Sequence, residues 1–176
     1  MTLKIFSASS SVASDYVSVT VTVDADYKII SGGGRMTSGD ILMIETYPVN
    51  GTSWTATLTE HVVDTTGRVA AYAIGLYDPG DEWDVSYTSA ESGSSDYVFV
   101  SAAVPSGYQM TGGGAQVTST DSGAGIVLFG SYPVDANNWM AVGNQHRSVG
   151  TGMVKAYAIG NIQSLFSIFR ILHIVC

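Results

Sequence analysis

From Tyr16 to Val23 the chain alternates without a break. Val17, Val19, Val21 and Val23 fall on one side, and Tyr16, Ser18, Thr20 and Thr22 on the other. A period of two over eight residues predicts a half-buried strand. Residues 97–104 repeat the pattern, with Val98, Val100, Ala102 and Val104 on the apolar side. A second strand is predicted from Tyr27 to Ile30, running into Gly32-Gly33-Gly34, which reads as a bent β-corner. Ile41–Val49 and Ile126–Val134 give a third strand, placed at a sheet edge because Pro48 and Pro133 lie near its end. Trp54–Val63 and Trp139–Val149 give a fourth, and Arg68–Tyr77 and Met153–Ile162 a fifth. No stretch of these has a 3.6-residue period.

The two series of strands belong to one internal repeat. Asp15-Tyr16-Val17 returns as Asp96-Tyr97-Val98 at an offset of 81. The glycine triplet returns as Gly112-Gly113-Gly114, which aligns at an offset of 80. From Tyr47-Pro48-Val49 onward the offset is 85, carrying Trp54 to Trp139, His61 to His146 and Ala71-Tyr72-Ala73-Ile74-Gly75 to Ala156-Tyr157-Ala158-Ile159-Gly160. A nearly constant offset, changed only in glycine- and serine-rich stretches, is the mark of duplication. The expected architecture is all-β: two homologous five-stranded repeats forming a pseudo-twofold β-sandwich or β-prism-like body. Repeat one, with an acidic linker, spans 7–87, repeat two 88–161, and an apolar tail 162–176. Residues 7–14 and 88–95 read as serine-rich lead-ins.

Composition narrows the function. The 176 residues are 45% hydrophobic but only 12% charged, with a net charge of −8. Seven basic residues form no cationic stripe, which argues against a nucleic-acid partner. The N-terminus has no apolar core of signal-peptide length, so the expectation is a protein that is cytoplasmic or secreted without a signal peptide. The sole cysteine, Cys176, excludes an internal disulfide framework. The tail, Leu165 to Val175, is too short to span a bilayer. It reads as a cover for the core, with homo-oligomer formation and membrane contact as alternatives.

Enzyme signatures are missing: no Gly-x-Ser-x-Gly, no His-Glu-x-x-His, no carboxylate pair held in both copies. Glu45 matches Gly130 and Glu60 matches Gln145. No cofactor is implied, and the three histidines lack zinc-ligand spacing. Asp78, Asp81, Glu82 and Asp84 offer oxygen ligands for Ca²⁺ without the spacing of known loops, so a solvated linker is preferred. The glycine triplets lack the lysine and helix of a phosphate loop.

What both copies share is aromatic, histidine and glycine, with Asp15 and Asp96 the only shared acids. Trp54 and His61 lie on opposite faces of a regular strand, which puts Trp54 with Ala56 and Leu58 in the core and His61 outside with Thr55, Thr57 and Thr59. Tyr47 and Tyr132 precede loops carrying Asn50 in one copy and Asp135, Asn137 and Asn138 in the other. An aromatic face with amide and carboxylate groups beside it suits a sugar ring, although such a tyrosine can equally cap a core edge. The candidate ligand-binding set is therefore Tyr47, Asn50 and His61, with Tyr132, Asp135, Asn137 and His146. Its expected partners are glycans, bound by a non-enzymatic lectin with two equivalent sites that gain avidity from duplication. An oligomerising toxin or defence protein acting through the tail, and a structural adhesive module without a small ligand, are the rival readings.

The order Val104-Pro105-Ser106-Gly107-Tyr108, Gly112-Gly113-Gly114, Trp139, Ala156-Tyr157-Ala158-Ile159-Gly160 resembles a repeat of secreted bacterial proteins. That repeat runs Cys-Pro-x-Gly-Tyr, Gly-Gly-Gly, Trp, Ala-Tyr-Ala-x-Cys. The likeness covers roughly 16–77 and 97–161. Val104 and Gly160, and Val23 and Gly75 in the first copy, stand where that family has its cysteine pair. The resemblance implies a small β-domain and no particular chemistry.

Overall fold

The computed structural model describes residues 1–38, 41–60, 65–118, 126–146 and 150–163. The expected strand end at Val63, His61 and nearly all of the apolar tail lie outside these residues. Among the described residues every regular element is a strand: β1 (Thr2–Ser9), β2 (Tyr16–Thr22), β3 (Tyr27–Ser38), β4 (Ile41–Asn50), β5 (Ser53–Glu60) and β6 (Arg68–Tyr77). Then follow β7 (Trp83–Glu91), β8 (Tyr97–Ala103), β9 (Gln109–Thr118), β10 (Ile126–Pro133), β11 (Asn138–Gln145) and β12 (Met153–Gln163). The protein is all-β, built of antiparallel sheets that form no closed barrel among the described residues.

Three strands ordered β1-β6-β3 cover the β2-β5-β4 end of a six-stranded sheet, whose full order is β2-β5-β4-β9-β12-β7. Three more, ordered β10-β11-β8, cover its β9-β12-β7 end. Each half thus has six strands where five were expected. The additional strand is the first: β1 pairs with β6 from Thr2↔Tyr77 to Ser9↔Ala70, and β7 pairs with β12 from Trp83↔Gln163 to Glu91↔Lys155. So Ser7–Ser9 and Thr88–Glu91 are strand rather than lead-in, and the expected boundary at residue 87 falls inside β7.

The halves meet through unlike strands. Glu45↔Gln116 and Thr46↔Ala115 join β4 to β9, whose positional counterpart in the first half is β3. For the same reason β4 is an inner strand despite Pro48, while among the described residues its counterpart β10 pairs with β11 alone.

Two cores follow from the alternation. Val17, Val21, Trp54, Ala56, Leu58, Ala71 and Ala73 meet between the sheets of the first half. Val98, Ala102, Ala115, Ala141, Val154, Ala156 and Ala158 do so in the second. Trp54 is fully buried and its Nε1 donates to Thr46 Oγ1 at 3.0 Å; Trp139 Nε1 donates to Ser131 Oγ at 2.9 Å. Each indole lies on a glycine. A Cβ on Gly32 would sit 2.5 Å from Trp54 Cε3, and one on Gly113 would overlap the Trp139 ring.

This contact corrects the alignment of the triplets. Gly32 pairs with Ala73 and Gly113 with Ala158, so the structural offset there is 81, as at the first tyrosine. The glycines lie inside β3 and β9 rather than at a corner. The backbone irregularity comes earlier, between Ile29 and Ser31.

The glycines of one triplet are therefore unequal. Nothing lies within 4 Å of where a Gly33 Cβ would be. Gly32→Ala is expected to lower stability by about 2–3 kcal/mol through overpacking. Gly33→Ala, in dilute protein, should raise it by about 0.5–1 kcal/mol by narrowing the unfolded ensemble. Urea unfolding of the two variants beside the parent checks both signs.

Candidate functional site

The outward face of the six-stranded sheet is set by the same alternation that fills the core. Residues one step from Trp54, Ala56 and Leu58 turn the other way, so Thr55 and Thr57 carry hydroxyls to a face shared by Ser18 and Thr20. Ser18 and Thr57 hydroxyls are 2.9 Å apart, and Thr20 donates to Thr55 at 3.1 Å. Where β4 meets β9 this hydroxyl ladder runs into a denser cluster. Thr57 Oγ1 donates to Glu45 Oε2 at 2.7 Å, and Gln116 Nε2 donates to Glu45 Oε1 at 2.9 Å. Tyr157 Oη donates to Gln116 Oε1 at 2.8 Å.

The rings of Tyr47 and Tyr157 stack across the junction, with centroids 4.9 Å apart and planes 16° apart. Lys155 Nζ lies 5.4 Å from the Tyr157 centroid, within cation–π range. Tyr16, 58% exposed, stands at the rim of the cluster. Burial foremost pushes the phenols of Tyr16, Tyr47 and Tyr157 above their ordinary range. The Glu45 charge follows for Tyr16 and Tyr47, and Tyr47 and then Glu45 for Tyr157. All three are O–H donors at neutral pH. The face thus combines an exposed aromatic ring, stacked phenols, a carboxylate and hydroxyls.

Of the expected residues, Tyr47 belongs to this cluster. Asn50 does not: its Oδ1 accepts from Thr52 N at 2.8 Å and Thr52 Oγ1 at 3.0 Å, closing the β4–β5 turn. Asp135 does the same in the second half, accepting from Asn137 N at 2.7 Å and Asn138 N at 2.8 Å. The Asn137 backbone N–H foremost holds the Asp135 carboxyl below its ordinary value. These are Asx turns, so the Asn50 and Asp135 side chains are engaged in local backbone structure, while Asn137 contributes its backbone N–H.

Tyr132 is exposed, and its hydroxyl donates to Met140 Sδ at 3.4 Å. His146 follows β11 at the end away from that turn, six residues beyond Met140, or ~20 Å at strand rise. Tyr132 and His146 are not brought together. Nor are the surroundings of Tyr47 and Tyr132 alike. The positions of Glu45, Ser18, Thr55 and Thr57 are held in the second half by Gly130, Phe99, Met140 and Val142, by the pairing registers. The shared acids Asp15 and Asp96 each accept from the preceding serine hydroxyl and the following tyrosine N–H, a structural use.

The acidic segment before β7 is also structural. Asp78 is buried and pairs with Lys28 at 2.8 Å. Its oxygens accept from Glu82 N at 2.7 Å and Trp83 N at 3.1 Å. Lys28 also pairs with Asp81 and donates to Trp83 O at 2.5 Å. Instead of a solvated linker, the segment is a staple between β3 and the start of β7. No group of His, Cys, Asp and Glu among the described residues is arranged to hold a metal ion. No protein-family model matches the chain, and no curated protein matches it.

Burial opposes charge on Asp78, but Lys28 and the two N–H donors outweigh it, so its pKa lies below the usual carboxylate value. Lys28, likewise desolvated, is raised by Asp78 and Asp81. The Asp78 contribution is present above its unfolded pKa of about 3.9 and is lost as pH falls through the lower folded value. The Lys28 contribution is present below about 10.4 and is lost as pH rises through the higher folded value. Asp78→Asn is expected to lower stability at pH 7 by about 2 kcal/mol. The loss should shrink toward acid pH, as thermal unfolding across pH 2–8 would record.

Proposed function

We propose that the protein is a non-enzymatic carbohydrate-binding protein whose saccharide lies on the open face of the six-stranded sheet, against Tyr16 and beside Glu45. The observation carrying this reading is the junction cluster of Glu45, Tyr47, Gln116 and Tyr157 with the exposed Tyr16 ring at its rim. An aromatic face receives the C–H side of a pyranose, while Glu45 and the Ser18 and Thr20 hydroxyls receive its hydroxyl groups. The net charge of −8 favours neutral over acidic glycans. Matching strand order in the two halves supports internal duplication. The differing residues around Tyr47 and Tyr132 favour a site in the first half alone over two equivalent sites.

The resemblance to the cysteine-bearing repeat also has support. A Cβ on Gly160 would lie 3.0 Å from Val104 Cβ, so the two positions that carry cysteines in that family adjoin here. Disulfides need a Cβ separation of about 3.5–4.5 Å, a small adjustment. The double variant Val104→Cys, Gly160→Cys should lose its pair of new thiols on mild oxidation, by thiol titration against the parent.

A glycan array tests the saccharide reading. One class of neutral glycan is expected to bind, with Tyr16→Ala and Glu45→Gln each weakening it about tenfold or more (1.4 kcal/mol per decade). His146→Ala should bind as the parent does. Binding unchanged in both face variants would remove the site, and a blank array would remove the reading. A structural or adhesive module without a small ligand is the second reading. It is favoured by the exposed Tyr97, Phe99, Phe129 and Tyr132 on β8 and β10.

A further inference from the structure

Duplication has left two corresponding sheet faces with opposite chemistry. In the first half β2, β4 and β5 turn Ser18, Glu45, Thr55 and Thr57 outward. At the same register positions β8, β10 and β11 turn out Phe99, Gly130, Met140 and Val142. Where one half has hydroxyls and a carboxylate, the other is apolar. Strands β8, β10 and β11 contain no charged residue at all, although the chain has seven basic and 15 acidic ones.

The side chains of this apolar face are fitted to one another. Gly130 makes room for Tyr132, since a Cβ there would lie 3.0 Å from Cε1 of the ring. The ring therefore lies over Gly130, and its hydroxyl donates to Met140 Sδ at 3.4 Å. Phe99, 60% exposed, is paired with Val142 on the other side, and its ring centroid is 6.2 Å from that of Tyr97. Phe129 is exposed at the β10 bulge. An aromatic side chain offers roughly 150–250 Å². Tyr97, Phe99, Phe129 and Tyr132, each about half exposed or more, thus present on the order of 300–600 Å². That is a large share of the ~800 Å² per partner that a standard stable interface buries.

We propose that this face binds the same face of a second copy, packing the β10-β11-β8 sheets of two molecules together as a symmetric dimer. Two bodies of net charge −8 repel wherever acidic surfaces approach, and they meet at least cost through a face without charge. The same net charge disfavours an anionic membrane as the occupant. Sheet packed on sheet is also the contact that each half already makes in its own core. One patch serves on both copies, so the contact closes at two. The two outer faces of a layered body look opposite ways. Tyr16 and Glu45, on the six-stranded sheet, therefore stay uncovered and point away from the interface in both copies. The dimer does not depend on the saccharide reading, but its use does: two outward sites supply the cross-linking that one site per chain lacks.

Sedimentation of the full chain from ~1 μM to ~1 mM should show the mass rising from one copy to two and no further. The double variant Phe99→Ser, Met140→Thr gives the second half the residues that the first half carries at those positions, Ser18 and Thr55. It should unfold at the parent's temperature and stay monomeric over the same range. Phe99→Lys, a change at one exposed side chain, should raise the dissociation constant about tenfold or more; it decides the matter should the double variant not fold. Tyr16→Ala and Glu45→Gln should dimerise like the parent, so a failed saccharide reading leaves this test standing. A parent monomeric throughout, or one that grows beyond two copies, would overturn the proposal. So would Phe99 variants that dimerise like the parent, which would place the contact elsewhere, the C-terminal tail included.

Discussion

The indole of Trp54 lying on the backbone of Gly32 fixes the first half of the molecule, and Trp139 on Gly113 fixes the second. The contact crosses from β5 to β3 and, through the indole N–H on Thr46, ties β4 to both. A ring so large between two sheets ~10 Å apart needs a neighbour without a side chain. That is why a glycine stands in the middle of a strand, where its backbone freedom is otherwise a burden. Thr46 is also the residue that pairs with Ala115. The core contact therefore sets the height and tilt of β4 where the halves meet, and with it the positions of Glu45 and Tyr47 on the outer face.

Much of this was legible in the chain. The valine–threonine alternation marks β2, and Arg68–Tyr77 coincides with β6, because residues buried on one face leave a period-two trace. The first strand of each half was not. In β7 the alternation is carried by Trp83, Val85, Tyr87 and Ser89 against Asp84, Ser86, Thr88 and Ala90, and acidic and hydroxyl residues on both sides blur it. The glycine register was off by one, since three identical residues give no information about which of them the indole requires.

The site was harder to read for a different reason. Comparing the two repeats draws attention to what they share, and shared residues are those that fold each half: Trp, Asp15 with Asp96, and the turn acceptors Asn50 and Asp135. The halves meet through different strands, so the residues at their join are free to differ. Glu45 against Gly130 and Gln116 against Arg35 look like noise in an alignment, yet they form the cluster on the outer face. In a duplicated chain with an unlike-strand join, departures from the repeat are the better guide to the junction. The Asx turns were visible in principle, from an Asn or Asp three residues before the next strand.

The join also imposes an order on synthesis. Glu45 and Gln116 are 71 residues apart in the chain. The first half can pack its tryptophan as soon as Tyr77 has emerged, but the outer edge of β4 then waits for β9. Gln116 follows Tyr77 by 39 residues, so at about 5–20 residues per second the wait is roughly 2–8 s. During it the nascent chain presents a bare edge ending in Tyr-Pro. Pro48, which offers no N–H to an incoming strand, narrows what can pair there. The proline that looks misplaced in an inner strand of the finished molecule thus acts as a gatekeeper while the molecule is half made.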